Sequence, residues 1–161
     1  MIGKKFIKPV EDWSEYTTAA KWCNNTQKAK IVEYDEYYLV EAIPELTLDE
    51  LKAQKKTDIA AARYEAETAG IMVNDVKIDT GRDSQALITG AALAAMLDDS
   101  YSLNWKTVAG FVHLTATEII AVAHAVRAHV QGCFDKEGEL VALVDAAQTA
   151  EELSAIDISF E

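Results

Sequence analysis

The fold turns on residues 105–137, WKTVAGFVHLTATEIIAVAHAVRAHVQGCFDKE, where a short hairpin signal runs into the longest strongly patterned helix of the chain. Thr115 followed by Glu118 has the spacing of a capping box, the threonine oxygen accepting from the third backbone N–H and the glutamate reaching back. Leu114 and Ile119 are placed to close a hydrophobic staple around that start. Beyond it Ile119, Val122, Val126, Val130 and Cys133 recur at three- and four-residue steps and share one stripe, while Glu118, His124, Arg127 and Gln131 fall mostly off it. This is the pattern of a core helix. Ahead of it, Trp105 and Phe111 flank a Val108-Ala109-Gly110 turn, and the two short strands so implied are expected to fold both rings toward the helix.

The stretches around this helix repeat the same punctuation. Residues 4–9 read as an opening strand stopped by Pro9. Asp12, with Glu15 three residues later, can cap a helix ending at about Asn24-Asn25, with Trp13, Tyr16, Ala20 and Cys23 on one side. IVEYDEYYLVEAI, residues 31–43, reads as two β-rich runs around a turn at Asp35-Glu36. Pro44 then breaks the strand, and Thr47 with Glu50 opens a helix that Gly70 closes. IMVNDVKI, residues 71–78, is a hairpin whose Asn74-Asp75 turn tolerates positive φ. Thr80 with Asp83 at the third position is expected to cap a helix carrying Leu87, Ile88, Ala91, Leu93, Ala95 and Leu97, whose small side chains suit close packing. Gly132 and Gly138 predict a bend before Leu140, Val141 and Val144, and Thr149 with Glu152 caps one last turn.

These readings add up to an α+β fold: a small β-α-β-β unit over residues 1–45, then a mostly α-helical domain over 46–161 with two short β-hairpins. The 161 residues are enough for a real core, and half of them are hydrophobic. The net charge of −12 is uneven: residues 98–161 hold eleven acids and three bases, whereas 1–46 hold eight acids and six bases. Such a surface repels phosphate backbones and anionic lipid, so neither nucleic acid nor membrane is an expected partner. No segment approaches transmembrane length and the N-terminus lacks the apolar run of a signal peptide, so the chain is expected in the cytoplasm.

Motifs for catalysis or metal binding are weak throughout. Asp79-Thr80-Gly81 is the triplet of aspartic proteases, but those enzymes need two such carboxylates, and a helix cap explains the same residues. Asp75, Asp79 and Asp83 lack the alternating oxygens, the Gly and the Glu of a calcium loop. His124 and His129 are five apart, which misses the pairing of a zinc helix, and His113 sits in the hairpin. Cys23 and Cys133 stand alone and read as buried thiols. The sequence predicts a protein that is not an enzyme and that uses no cofactor and no metal.

Recognition is expected at the aromatic front. Six of the nine tryptophans and tyrosines precede residue 45, and Trp13, Trp22, Tyr34, Tyr37 and Tyr38 are the candidate partner-binding residues. Filling the unit's own small core is the competing role for each ring. Strand alternation sends Tyr37 and Tyr38 to opposite faces, so at most one of them can point into that core. An edge of this hairpin could also accept a strand from a β-rich partner.

Taken together, residues from RYEAETAGIMVNDVKIDTGRDSQALITGAALAA through NWKTVAGFVHLTATEIIAVAHAVRAHVQGCFDKEGELVALVDAAQTAEELSAIDI resemble the C-terminal domain recurrent in tail-fibre and tail-fibre-assembly proteins of tailed bacteriophages. The resemblance covers roughly 55–158. Its marks are Glu67 to Ile71 (E-x-x-G-I), Asp79-Thr80 with Ser84-Gln85 after it, the WK…GF pair, the LT-x-x-E cap and the closing T-x-EEL. AAKWCNNT and the Tyr-rich hairpin are similar to the N-terminal part of tail-fibre assembly proteins. The resemblance implies a chaperone in the host cytoplasm that binds the phage tail-fibre protein, aids its folding or trimerisation and can stay at the fibre tip. It brings no catalytic residues. A permanent structural component of the tail remains the alternative.

Overall fold

The structure, a computed structural model, describes residues 1–107 and 110–160. The turn expected at Val108-Ala109 lies outside the described residues. Helices and small antiparallel sheets make an α+β fold, and the chain divides into two compact units, Met1–Thr47 and Leu48–Glu161.

In the first unit, β1 (Lys5–Ile7), α1 (Trp13–Thr26), β2 (Ala29–Glu33) and β3 (Tyr37–Ala42) form a three-stranded sheet in the order β1-β3-β2, with α1 against one face. Asp12 accepts the Glu15 N–H at 2.9 Å, as its spacing predicts. The asparagine pair does not end α1: the helix continues to Thr26, and Gln27 takes the left-handed conformation with its N–H on the Cys23 carbonyl. Register explains which side chains are buried. Phe6 lies opposite Tyr38 and Ile31 opposite Val40, so these residues and Ala29 face α1 and close a core with Ala19 and Cys23.

The second unit is built along one helix. α2 (Leu48–Thr68) leads to the hairpin β4 (Ile71–Val73) and β5 (Val76–Ile78), then α3 (Arg82–Leu97), the hairpin β6 (Ser102–Thr107) and β7 (Gly110–Thr115), α4 (Ala116–Ala146) and α5 (Ala150–Ser154). Three separate clusters of apolar side chains succeed one another along α4. Ala116 and Ile119 pack with Ala95; Val122, Val126 and Val130 pack with Ile78 and Ile88; Leu140 and Val144 pack with Ile59 and Leu153. α2 runs antiparallel to α4, since Lys56 meets Asp145, Arg63 meets Glu137, and His129 meets the Ala66 carbonyl.

Local signals hold at most boundaries. Thr115 and Glu118 make the reciprocal capping box, worth about 1 kcal/mol, and Leu114 and Ile119 share the cluster beneath it. Asn74 and Asp75 adopt φ of 49° and 63°, the backbone of a two-residue hairpin turn. At α5 Thr149 accepts the Glu152 N–H, but the Glu152 carboxylate accepts from Gln148 rather than from the cap.

Further expectations are corrected. Phe111 does not fold toward the helix but is 72 % exposed. The β6-β7 register pairs Trp105 with Val112 and Lys106 with Phe111, so the two rings fall on opposite faces of the ribbon and only Trp105 packs inward. α4 runs on through Gly132 and Gly138 to Ala146, with Cys133, Leu140 and Val144 keeping the buried stripe in phase through both. Thr80 does not cap α3; Gly81 stands at the cap and Thr80 is fully buried. Finally, α3 packs on α4 through Ile88, Ala91, Ala92 and Ala95, while Leu87, Leu93 and Leu97 of the expected packing set are exposed.

Candidate functional site

The sheet of the first unit has one face covered by α1 and one face without a helix. On the covered side Tyr16 is the centre of an edge-on array, with ring centroids 5.3 Å from Phe6, 5.2 Å from Tyr38 and 5.4 Å from Trp13. Such edge-to-face contacts add to the apolar burial they accompany. Lys8 lies 4.6 Å above the Tyr38 ring and pairs with Glu33 at 2.6 Å, which raises the lysine and lowers the glutamate from their ordinary titration ranges.

On the opposite face β3 presents Tyr37, Leu39 and Glu41, flanked by Lys5 and Ile7 of β1 and by Lys30 and Val32 of β2. Tyr34, from the β2-β3 turn, stacks on Tyr37 with centroids 4.8 Å apart and rings 19° from parallel. Lys5 covers the Tyr37 ring at 3.5 Å, and the Tyr34 hydroxyl donates to Glu41. That hydrogen bond, helped by desolvation, holds the Tyr34 hydroxyl above its usual range. The result is a ring pair fixed at both ends, next to Ile7, which is 59 % exposed.

The five candidate residues are therefore not one cluster. Tyr38 and Trp22 are half-buried and pack on the unit's own core. Tyr34 and Tyr37 form the stacked pair on the open face, and Trp13 is exposed at the start of α1 beside Tyr16. Alternation foretold that Tyr37 and Tyr38 part company; the stacking of Tyr34 on Tyr37 depends on how the turn folds back, which residue spacing does not specify.

The most elaborate polar arrangement lies elsewhere, at the end of α2. Glu67 is only 2 % exposed. Its carboxylate receives Arg63, Gln85 Nε2 at 3.1 Å and, at 3.6 Å, Arg82. The Thr80 hydroxyl donates to the Glu67 carbonyl at 2.6 Å and accepts the Gly70 N–H at 2.9 Å, while Gln85 Nε2 also donates to the Thr80 carbonyl at 2.8 Å. Burial alone raises the Glu67 carboxyl, but the Gln85 and Arg63 hydrogen bonds and the charges of Arg82 and Arg63 more than reverse it, leaving it below its ordinary value. Asp79 accepts from the Gly81 N–H and the Ser84 hydroxyl, which hold it low and fasten the start of α3. An open groove of about 560 Å³ passes this network between α3 and α4, lined by Gln85, Thr89, Val126, Arg127 and Phe134 among others.

One pairing of reactive residue types went unnoticed in the sequence: Cys133 Sγ is 3.9 Å from His129 Nε2, one helical turn away. That nitrogen lies 3.0 Å from the Ala66 carbonyl, so its N–H donates there and no lone pair is left facing the thiol. Burial and the nearby Glu67 charge push the Cys133 thiol up, opposing a thiolate. His113 bonds Asn104, well away from either.

The family described as "Domain of unknown function (DUF4376)" matches residues 50–159. The chain belongs to this family. No curated protein and no solved structure matches the chain. Within the DUF4376 domain, sequence marks that read as separate, Glu67 to Ile71, Asp79-Thr80 and Ser84-Gln85, converge on the one network around Glu67 and Thr80. Gly70 belongs to it by necessity, since its φ is +83° and an added Cβ would stand 2.9 Å from the Ile78 carbonyl oxygen. With two guanidiniums and an amide on its carboxylate, Glu67 ties α2, the β4-β5 hairpin and α3 of the DUF4376 domain together and is not poised to move a proton. Arg63 and Arg82 were the residues sequence reasoning passed over. The i, i+4 spacing of Arg63 and Glu67 was the only local signal for them.

Proposed function

We propose that this protein is a bacteriophage tail-fibre assembly chaperone: it binds the fibre protein and aids its folding or trimerisation in the host cytoplasm. The observation that carries the reading is the open sheet face of the first unit, where the Tyr34–Tyr37 pair stands beside Ile7 of β1 and where β1 and β2 are both edge strands. A rigid aromatic pair offers contact area at low entropic cost, and an edge strand offers backbone N–H and C=O groups to a β-rich partner. The resemblance of the front unit and of the DUF4376 domain to phage tail-fibre assembly proteins supplies the partner. The second unit's role in this reading is to support the first, its buried charges being consumed by its own structure.

Co-expression with the neighbouring fibre protein, followed by size-exclusion chromatography with mass determination, tests it. The expected result is co-elution in a defined complex, with fibre insoluble when made alone. Tyr34→Ser with Tyr37→Ser should reduce complex at least tenfold while leaving the helical circular dichroism unchanged. Soluble fibre eluting separately would replace the chaperone with a permanent structural component of the tail.

A further inference from the structure

From Ser84 to Leu97 α3 carries no charged residue, yet only one side of it packs on α4. A helix that is apolar all round belongs between two layers. At 100° per residue Ala86, Leu87, Leu93, Ala94 and Leu97 lie within about 60° of the direction of Gly90, opposite the buried Ile88 and Ala95 and the half-buried Ala92. Leu87 is 66 %, Leu93 60 % and Leu97 81 % exposed, and nothing lies within 4 Å of a Cβ built on Gly90.

From Ala86 to Ala94 the pattern is symmetric about Gly90, with Leu97 falling opposite Asp83 beyond it, and the symmetry identifies the occupant. We propose that this face binds a second copy of the chain, α3 against α3, antiparallel, with the two-fold axis at Gly90. In that arrangement Leu87 of one copy meets Leu93 of the other, Ala86 meets Ala94, and Arg82 reaches the Asp98-Asp99 end. The glycine removes the side chain where the two backbones come closest. Parallel packing would set the aspartates of both copies side by side, whereas the antiparallel one joins opposite charges and opposed helix dipoles at both ends. Arg82, which also pairs with Glu67 at 3.6 Å and lies over the Tyr64 ring, has a side chain 62 % exposed and so presents part of its guanidinium outward. Asp83, the one acid on the face, lies in the first turn, at the rim of the contact. An isologous contact of this kind closes on itself as a dimer.

Sedimentation equilibrium of the full chain over about 1–300 µM should give twice the 17.7 kDa chain mass. Gly90→Glu, which enters open space and keeps the helix, should yield a monomer with unchanged circular dichroism. Gly90→Cys should oxidise to a covalent dimer across the axis. Met72→Cys, also exposed but on β4, should not, and Cys23 and Cys133 are buried and do not compete. A 17.7 kDa species throughout the range overturns the proposal, as does a dimer that survives Gly90→Glu, or a monomer that sediments with lipid vesicles through this face.

Discussion

Glu67 has exchanged water for two guanidiniums and an amide, so its contribution to stability is large and depends on pH. Glu67→Ala leaves Arg63, whose side chain is 12 % exposed, without its buried counter-charge. Breaking a buried pair from one side costs about 3 kcal/mol, to be read as a shift in urea unfolding. The carboxyl is held low in the folded protein, so its stabilisation is fully present above the unfolded-state value of about 4.3 and is lost as pH falls through the folded value. The stability gap between the native chain and Glu67→Gln should therefore narrow as pH falls below the unfolded-state value; a constant gap would show that the charge is not what Glu67 supplies. None of this was legible at residue 67, because burial is set by α3 and by the hairpin that brings Thr80 back. The same return took Thr80 away from the cap predicted for it and left Asp79, two residues before the cap, to bond the Gly81 N–H.

At the scale of elements, periodicity carries α4 through its two glycines. The stripe from Ile119 to Cys133 continues to Val144, and a continuous buried stripe outweighs the helix cost of two glycines, roughly 1 kcal/mol each. Both glycines are exposed and have open space where a Cβ would go. Gly132→Ala and Gly138→Ala should accordingly each stabilise the protein by about 0.5–1 kcal/mol, seen as a higher Tm. A lower Tm in either would mean that the glycine is needed where it stands. For the β6-β7 ribbon, composition located the strands and only the register could say that Phe111 and Trp105 point apart. On α3 the alanines implied close packing, but not that half of the apolar residues would be left for another surface.

For the molecule as a whole, the order of elements was readable because caps, turn residues and strand alternation are local, and they occur at nearly every boundary. The proposed partner surface was not, since the stacking of Tyr34 on Tyr37 depends on how the β2-β3 turn folds back. Each unit has its own core, and the clusters along α4 draw only on residues 48–160. Residues 48–161 made alone should give a soluble helical protein with a cooperative thermal transition. A fragment without one would show that the second unit needs the first.

The aromatic distribution also sorts the chain optically. Trp13 and Trp22 belong to the first unit, and Trp105, half-buried among Ile78, Val122 and Val126, is the one tryptophan of the second. Trp13, at the protein surface, emits to the red of the other two, and a quencher in solution reaches it first. Replacing Trp13 and Trp22 by phenylalanine would leave a single fluorophore at the heart of α4's middle cluster, an internal signal for the opening of that cluster alone.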